Sequence, residues 1–178
     1  MTESVDFGKY TSLNGVRANF IVDEAGNYEV SGSSRGLGND TDRELLIHLR
    51  SLADAVIVGG NTARIEKYRP TARFQTYVFS KNAHGIEPDL NILAFDSAKD
   101  LSKIFDELRA RHPRLLVEAG PSLVSQLLEI GVIDELCLTV TGTQAVPADL
   151  VLKLFGVQLG APTDIQIVND MQFVRWNL

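Results

Sequence analysis

The chain has 178 residues, of which 44% are hydrophobic and 22% charged, and a net charge of −6. That length suits one domain with a proper core, burying roughly 70% of its unfolded surface, and the acidic balance argues against nonspecific binding to nucleic acid or to membranes. Its one cysteine excludes an intrachain disulfide, and His48, His84 and His112 show neither i,i+4 pairing nor an HExxH pattern, so no metal site is expected. No apolar run is long enough to span a bilayer, and MTESVDFGKY lacks the basic and apolar regions of a signal peptide; both points fit a cytoplasmic protein.

Residues 1–13 are polar and read as a loose lead-in to a single domain over 1–178. Residues 16–22 (VRANFIV) are rich in β-formers and predict a strand, whose apolar content on both faces suggests a central position. DEAGNY (23–28) is a turn. SGSSRGLGN (31–39) is a loop by its glycine and serine, and inside a compact domain such a loop suits binding. Leu45, Leu46, Leu49 and Leu52 predict a helix over 41–52, N-capped by Asn39 or Asp40, with His48 in a packing role. AVIV (55–58) is a second strand. It runs into Gly59 and Gly60 and a short helical segment.

Strands are predicted over 74–80 and 90–95, then a helix over 100–111 on the stripe Leu101, Ile104, Phe105 and Leu108. RLLV (114–117) is a buried strand leading into EAGPS and a helix through Glu129, with Pro121 at its first position and Gly131 after its end. Residues 134–141 alternate as a strand, 148–155 form an apolar helix or turn, and 166–168 with 172–177 form an antiparallel pair around Asn169-Asp170. Alternating strands and helices with a terminal hairpin predict an α/β fold with one mixed, mainly parallel sheet and helices on both faces.

Two junctions share one logic. VGGNT and VEAGPS each put glycine between a buried strand and a helix start, where the backbone can approach a ligand and free N–H groups favour an anion. The first alone reads better as a tight connection without a ligand. Together, at the carboxyl ends of parallel strands, they suit the two phosphates of a dinucleotide. Neither matches the Rossmann or Walker A pattern. Ser80 and Lys81, after the third strand, are either an ordinary solvated turn or the partners of an extra 2′-phosphate, the group that separates NADPH from NADH.

RANFIV, SGSSRGLGNDTDR, LRSLADAVIVGGNTARIEKYRPTAR, EAGPSLVSQLLEIGVIDELCLTVT and GAPTDIQIVNDMQFVRW follow one another from about residue 16 to 176. In that order and spacing they resemble the reductase domain of bacterial riboflavin biosynthesis, which has the dihydrofolate-reductase-like fold. The resemblance implies a mixed, mostly parallel central sheet flanked by helices with a C-terminal antiparallel hairpin, and a homodimer. It implies NADPH as hydride donor, with Gly59, Gly60 and Thr62 along the nicotinamide and phosphate side and Ala119, Gly120, Pro121, Ser122 and Leu123 around the pyrophosphate. The substrate it implies is a ribosylaminopyrimidine phosphate, whose ribose is reduced to a ribitol chain. Asn19, Ser33, Ser34, Glu66 and Arg73 fall where the family binds substrate, with Arg73 on the phosphate.

The chain departs from the family pattern at two turns. The usual Ser-x-Asp-Gly after the first strand is Asp23-Glu24-Ala25-Gly26, and the usual Glu-Gly-Gly is Glu118-Ala119-Gly120. The methyl of Ala119 is tolerable only with negative φ. Asp23 and Glu118 are the candidate catalytic acids. The H-x-E and P-C-x-x-C patterns of the zinc deaminase fused to many relatives do not occur. A divergent reductase of the same fold with another small substrate, pterins included, and a nucleotide-binding protein without catalysis are the alternatives.

Overall fold

The computed structural model describes residues 4–30, 32 and 34–178, without the side chain of Arg35. An eight-stranded sheet runs through it. Its central strand, β1 (Gly15–Asp23), is hydrogen-bonded in parallel to β5 (Arg114–Glu118) on one side and to β6 (Glu135–Thr141) on the other. Beyond β5 lie β2 (Ala55–Gly59), β3 (Gln75–Phe79) and the short β4 (Asn91–Leu93), all parallel. Beyond β6, β8 (Met171–Asn177) and β7 (Asp164–Val168) add the antiparallel hairpin, giving the order β4-β3-β2-β5-β1-β6-β8-β7.

Each face of the sheet has its own core. On one, Val16, Ala18, Phe20 and Val22 of β1 meet Leu101, Phe105 and Leu108 of α3 (Ala98–Arg111), Leu123, Val124 and Leu127 of α4 (Pro121–Glu129), and Phe155 of α5 (Leu150–Phe155). On the other, Val56, Val58 and Leu116 meet Leu45 and Leu49 of α1 (Asp40–Ser51) and Ala63 of α2 (Gly60–Ile65). Among the described residues, no helix is long and apolar enough to cross a membrane.

β1 is central, as its composition suggested, but its two faces differ in kind. The face toward α1 carries Arg17 and Asn19. Arg17 is buried and paired with buried Glu135 of β6 at 2.8 Å. Two desolvated charges survive there because each holds the other.

Of the segment expected to be a loose lead-in, the described part, from residue 4 on, is packed. Val5 and Tyr10 are buried in the α1-side core, and Phe7 stacks on His48 at 4.8 Å. Asp6 accepts from Gly8 N, Gln166 Oε1 accepts from Asp6 N, and Lys9 pairs with Asp164, so this polar stretch finds partners on β7. α3 begins at Ala98 rather than 100, because the Ser97 hydroxyl accepts from Asp100 N and caps it two residues earlier. β4 is three residues long, shorter than the expected 90–95, and β7 begins at Asp164 rather than 166.

Candidate active site

A cleft of about 1760 Å³ opens over the carboxyl ends of β1, β2, β3 and β5, reaching from α1 and α2 to the start of α4. Both glycine junctions line it. The second glycine of the first junction is sterically required: a β-carbon on Gly60 would lie 2.5 Å from Ser80 Oγ and 2.9 Å from Arg64 Nη1. At the second junction, Gly120 is the N-cap of α4, and a β-carbon there would meet nothing within 4 Å. That backbone is open to a close-lying ligand. Ala119 is not among the residues with positive φ, so its methyl is accommodated without strain.

The cleft brings together Asn19, Ser34, Glu66 and Arg73 from the expected substrate set. From the expected cofactor set it gathers Gly59, Gly60, Thr62 and Ser80, and Ala119, Gly120, Pro121, Ser122 and Leu123. The Ser34 hydroxyl donates to Glu66 Oε1 at 2.9 Å, tying the glycine-rich loop to the end of α2. Ser33 lies outside the described residues.

Two expected residues are elsewhere. Asp23 is not on the lining; its Oδ1 accepts from Ala25 N and Asn27 N, and its Oδ2 from Asn27 Nδ2. These bonds, the Asn27 side chain first, hold its carboxyl below the usual range, and they make it a turn cap rather than a catalytic acid. Lys81 also points away, pairing at 2.6 Å with Asp96 in an exposed ion pair. Arg64 takes its place beside Ser80. It donates to Ser80 Oγ at 3.1 Å and to the carbonyls of Asn82 and His84, and it has no carboxylate partner among the described residues. Its charge therefore stays uncompensated.

Glu118 is on the lining, and its oxygens are already engaged. Arg50 of α1 grips it in a fork, Nε to Oε1 at 2.7 Å and Nη2 to Oε2 at 2.6 Å, while the Tyr68 hydroxyl donates to Oε2 at 2.5 Å and accepts from Arg50 Nη2. Burial opposes the charge on Arg50, but the hydrogen bonds and charge of Glu118 outweigh it and push the guanidinium up. Burial, then the charge of Glu118, pushes the Tyr68 phenol up as well. This makes the trio a fixed post in the cleft wall.

Sequence reasoning missed Arg50, Tyr68, Arg64 and Asp42, all of which line the cleft. Tyr68 lay within the glycine junction's own stretch and carried a readable signal, an aromatic hydroxyl just after a helix. The lining also holds Arg43, Arg69 and Arg73, exposed and without carboxylate partners among the described residues. Glu29, Asp40, Asp42, Glu66 and Glu118 share the lining, so the cleft is balanced in charge, and its exposed guanidinium groups are the donors it offers to an anionic group.

Residues 21–143 match the model of the RibD C-terminal domain. The chain belongs to the RibD C-terminal domain family. This is the riboflavin-biosynthesis reductase family that its motifs resemble, and its fold is dihydrofolate-reductase-like. Among solved structures, a pyrimidine reductase-like protein from Corynebacterium diphtheriae is similar over 97% of this chain and 94% of that one, with TM-score 0.74 and 22% identity. RibD of Acinetobacter baumannii is similar over 94% of this chain and 58% of that one, with TM-score 0.66 and 17% identity. Dihydrofolate reductase from Enterococcus faecalis, complexed with NADP(H), is similar over 92% and 96%, with TM-score 0.63 and 14% identity. No curated protein matches the chain.

Proposed function

We propose that the chain is an NADPH-dependent reductase acting on a ribosylaminopyrimidine phosphate. One observation carries the reading: both glycine junctions open into a single cleft that also holds Arg43, Arg64, Arg69 and Arg73, none with a carboxylate partner among the described residues. Membership in the RibD C-terminal domain family supports it. NADPH, when bound, supplies the hydride that converts the opened ribose to a ribitol chain.

The residues present suit that cofactor. The open backbone at Gly120 and the residues through Leu123 would hold the pyrophosphate, and Gly59, Gly60 and Thr62 the nicotinamide side. Ser80 with Arg64, rather than with Lys81, would take the 2′-phosphate. On the substrate side, Arg73 would hold the phosphate through its guanidinium fork. The Arg50–Glu118–Tyr68 post would fix the position of the sugar. The protein's task is alignment and exclusion of water, since the cofactor carries the difficult chemistry. The reading extends to a homodimer, as the family resemblance implies; sedimentation that finds only monomers at micromolar protein would remove that part.

The test is NADPH titration followed by turnover with the ribosylaminopyrimidine phosphate. NADPH should bind at sub-millimolar concentration, and the reduced-nicotinamide absorbance should fall when substrate is added. Binding without oxidation would leave a nucleotide-binding protein or a reductase of another substrate, and no binding to folded protein would remove the cofactor. Ser80→Ala combined with Arg64→Gln should weaken NADPH by about tenfold more than NADH, the scale of a hydrogen bond to a charged group. Lys81→Ala should leave that ratio unchanged.

A further inference from the structure

The two edges of the sheet are unlike. β4 closes one edge with three residues. β7 forms the other with five, DIQIV, which include neither lysine nor proline, the usual guards of an exposed edge. Its side chains divide by face. Toward α1, Asp164 is held by Lys9 at 2.6 Å, Gln166 Oε1 accepts from Asp6 N, and Val168 is buried. On the opposite face, where Val174 and Trp176 of β8 enter the core, Ile165 and Ile167 stay 51% and 56% exposed. Ile167 is the most exposed large apolar side chain among the described residues.

The backbone of β7 is open at the same place. Asn169 and Asp170, both with positive φ, make a two-residue turn between Val168 and Met171. Such a turn closes on a hydrogen-bonded pair, and these pairs alternate along an antiparallel ladder, so Asp164, Gln166 and Val168 direct their N–H and C=O groups toward β8. Ile165 and Ile167 direct theirs outward, and among the described residues neither makes a backbone hydrogen bond there. Free strand hydrogen bonds and apolar side chains thus coincide on one stretch, and another strand satisfies both at once.

We propose that a second copy of this chain docks on this edge, β7 against β7, antiparallel about a two-fold axis at Gln166, so that two sheets become one. The edge fits its own copy. That axis sets Ile165 opposite the second copy's Ile167, and the reverse, on one face, each pair exchanging both backbone hydrogen bonds. Gln166 meets Gln166 and Asp164 meets Val168, so in a chain of net charge −6 no like charges face each other across the seam. Other registers lose this match. An axis at Ile165 or at Ile167 leaves the other isoleucine opposite Thr163 or Asn169, and an axis at Asp164 sets carboxylate against carboxylate. The proposal gives the homodimer of the reductase reading its surface, and it rests on that reading for nothing else.

Sedimentation of the full chain tests this. Wild type should be a dimer at micromolar protein. Ile165→Lys combined with Ile167→Lys sets ammonium against ammonium across the axis and should weaken the dimer by about tenfold or more. Both side chains are half-exposed, so the dilute variant should melt with dilute wild type. Leu152→Lys, at an exposed apolar site on α5, should leave the dimer intact. Cysteines read the register. Facing Cα atoms of a pair without ladder bonds lie about 4.5 Å apart, within reach of a disulfide, whereas the two copies of residue 165 lie diagonally, beyond about 7 Å. Gln166→Cys should therefore cross-link the copies on mild oxidation and Ile165→Cys should not; the native Cys137 is buried and does not compete. A monomeric wild type would leave the edge to a strand of another protein and overturn the proposal together with the homodimer. A dimer that survives both lysines, one lost equally in Leu152→Lys, or cross-linking at residue 165 as readily as at 166 overturns the proposal and leaves the homodimer standing. Failure of NADPH oxidation bears on the reductase reading alone.

Discussion

Glu118 has a side chain only 8% exposed, and its stability depends on Arg50 and Tyr68. Arg50→Met should cost about 3–5 kcal/mol in urea unfolding, because it strands a buried carboxylate. Arg50→Met combined with Glu118→Leu should cost less than Arg50→Met alone, since no unpaired charge is then left. Tyr68→Phe should cost about 1.5–3 kcal/mol, the range for a hydrogen bond to a charged partner. A double variant as damaging as the sum of its parts would show that the pair contributes through packing instead. Arg50 illustrates why part of the site was hidden in the sequence. It follows Leu49 directly on α1, so helical periodicity marks it as bordering the core stripe, while the carboxylate it grips lies 68 residues away. Glycines at strand ends announce themselves by composition. A guanidinium that reaches across the fold does not.

At the scale of elements, the helix starts carry most of what can be tested. Asn39 caps α1 by accepting from Asp42 N at 3.0 Å and also donates to the Asn169 carbonyl in the β7–β8 turn. Asn39→Ala should therefore cost about 1–2 kcal/mol, more than Ser97→Ala at α3, about 1 kcal/mol, whose cap is local. Equal losses would mean that the tie to the hairpin contributes nothing. The elements themselves were legible because each has a strong local signal: the leucine spacing of α1, the Pro121 start of α4, the Asn169-Asp170 turn with positive φ at both residues. The N-terminal segment was misread because its partners are remote. Val5 and Tyr10 look isolated among polar neighbours, and only the assembled sheet supplies the surface that buries them. Asp23 failed as a catalytic candidate for a related reason, since proximity in sequence to a functional turn says nothing about which backbone N–H groups will claim its oxygens.

For the molecule as a whole, acid should act in two opposite directions. Asp23 and Asp54 have lowered carboxyl pKa values, through Asn27 and through the Arg114 fork respectively. What they add to stability is fully present above the unfolded carboxylate range and is lost as pH falls through their lowered values. Asp42 is raised by burial, so ionising it costs stability, and that cost is relieved as pH falls. Melting temperature followed from neutral to acid pH should decline on the acid limb, and Asp54→Asn should make that limb shallower while lowering stability at neutral pH. Asp42→Asn should steepen the upper part of the decline, since the relief disappears. An unchanged profile in both variants would remove these carboxyls from the acid response.

The position of β1 also bears on how the chain comes together in time. Its hydrogen-bonded neighbours, β5 and β6, lie about a hundred residues downstream, with Gly15 opposite Arg114 and Arg17 opposite Glu135. The middle of the sheet cannot close until most of the sequence has left the ribosome, and such distant pairing is slow. Until then Val16, Ala18, Phe20 and Val22 have no place to hide, and Arg17 waits for the one carboxylate that can neutralise it. A nascent chain stalled before Glu135 should be readily cut by protease, and protection should arrive abruptly once β6 has emerged.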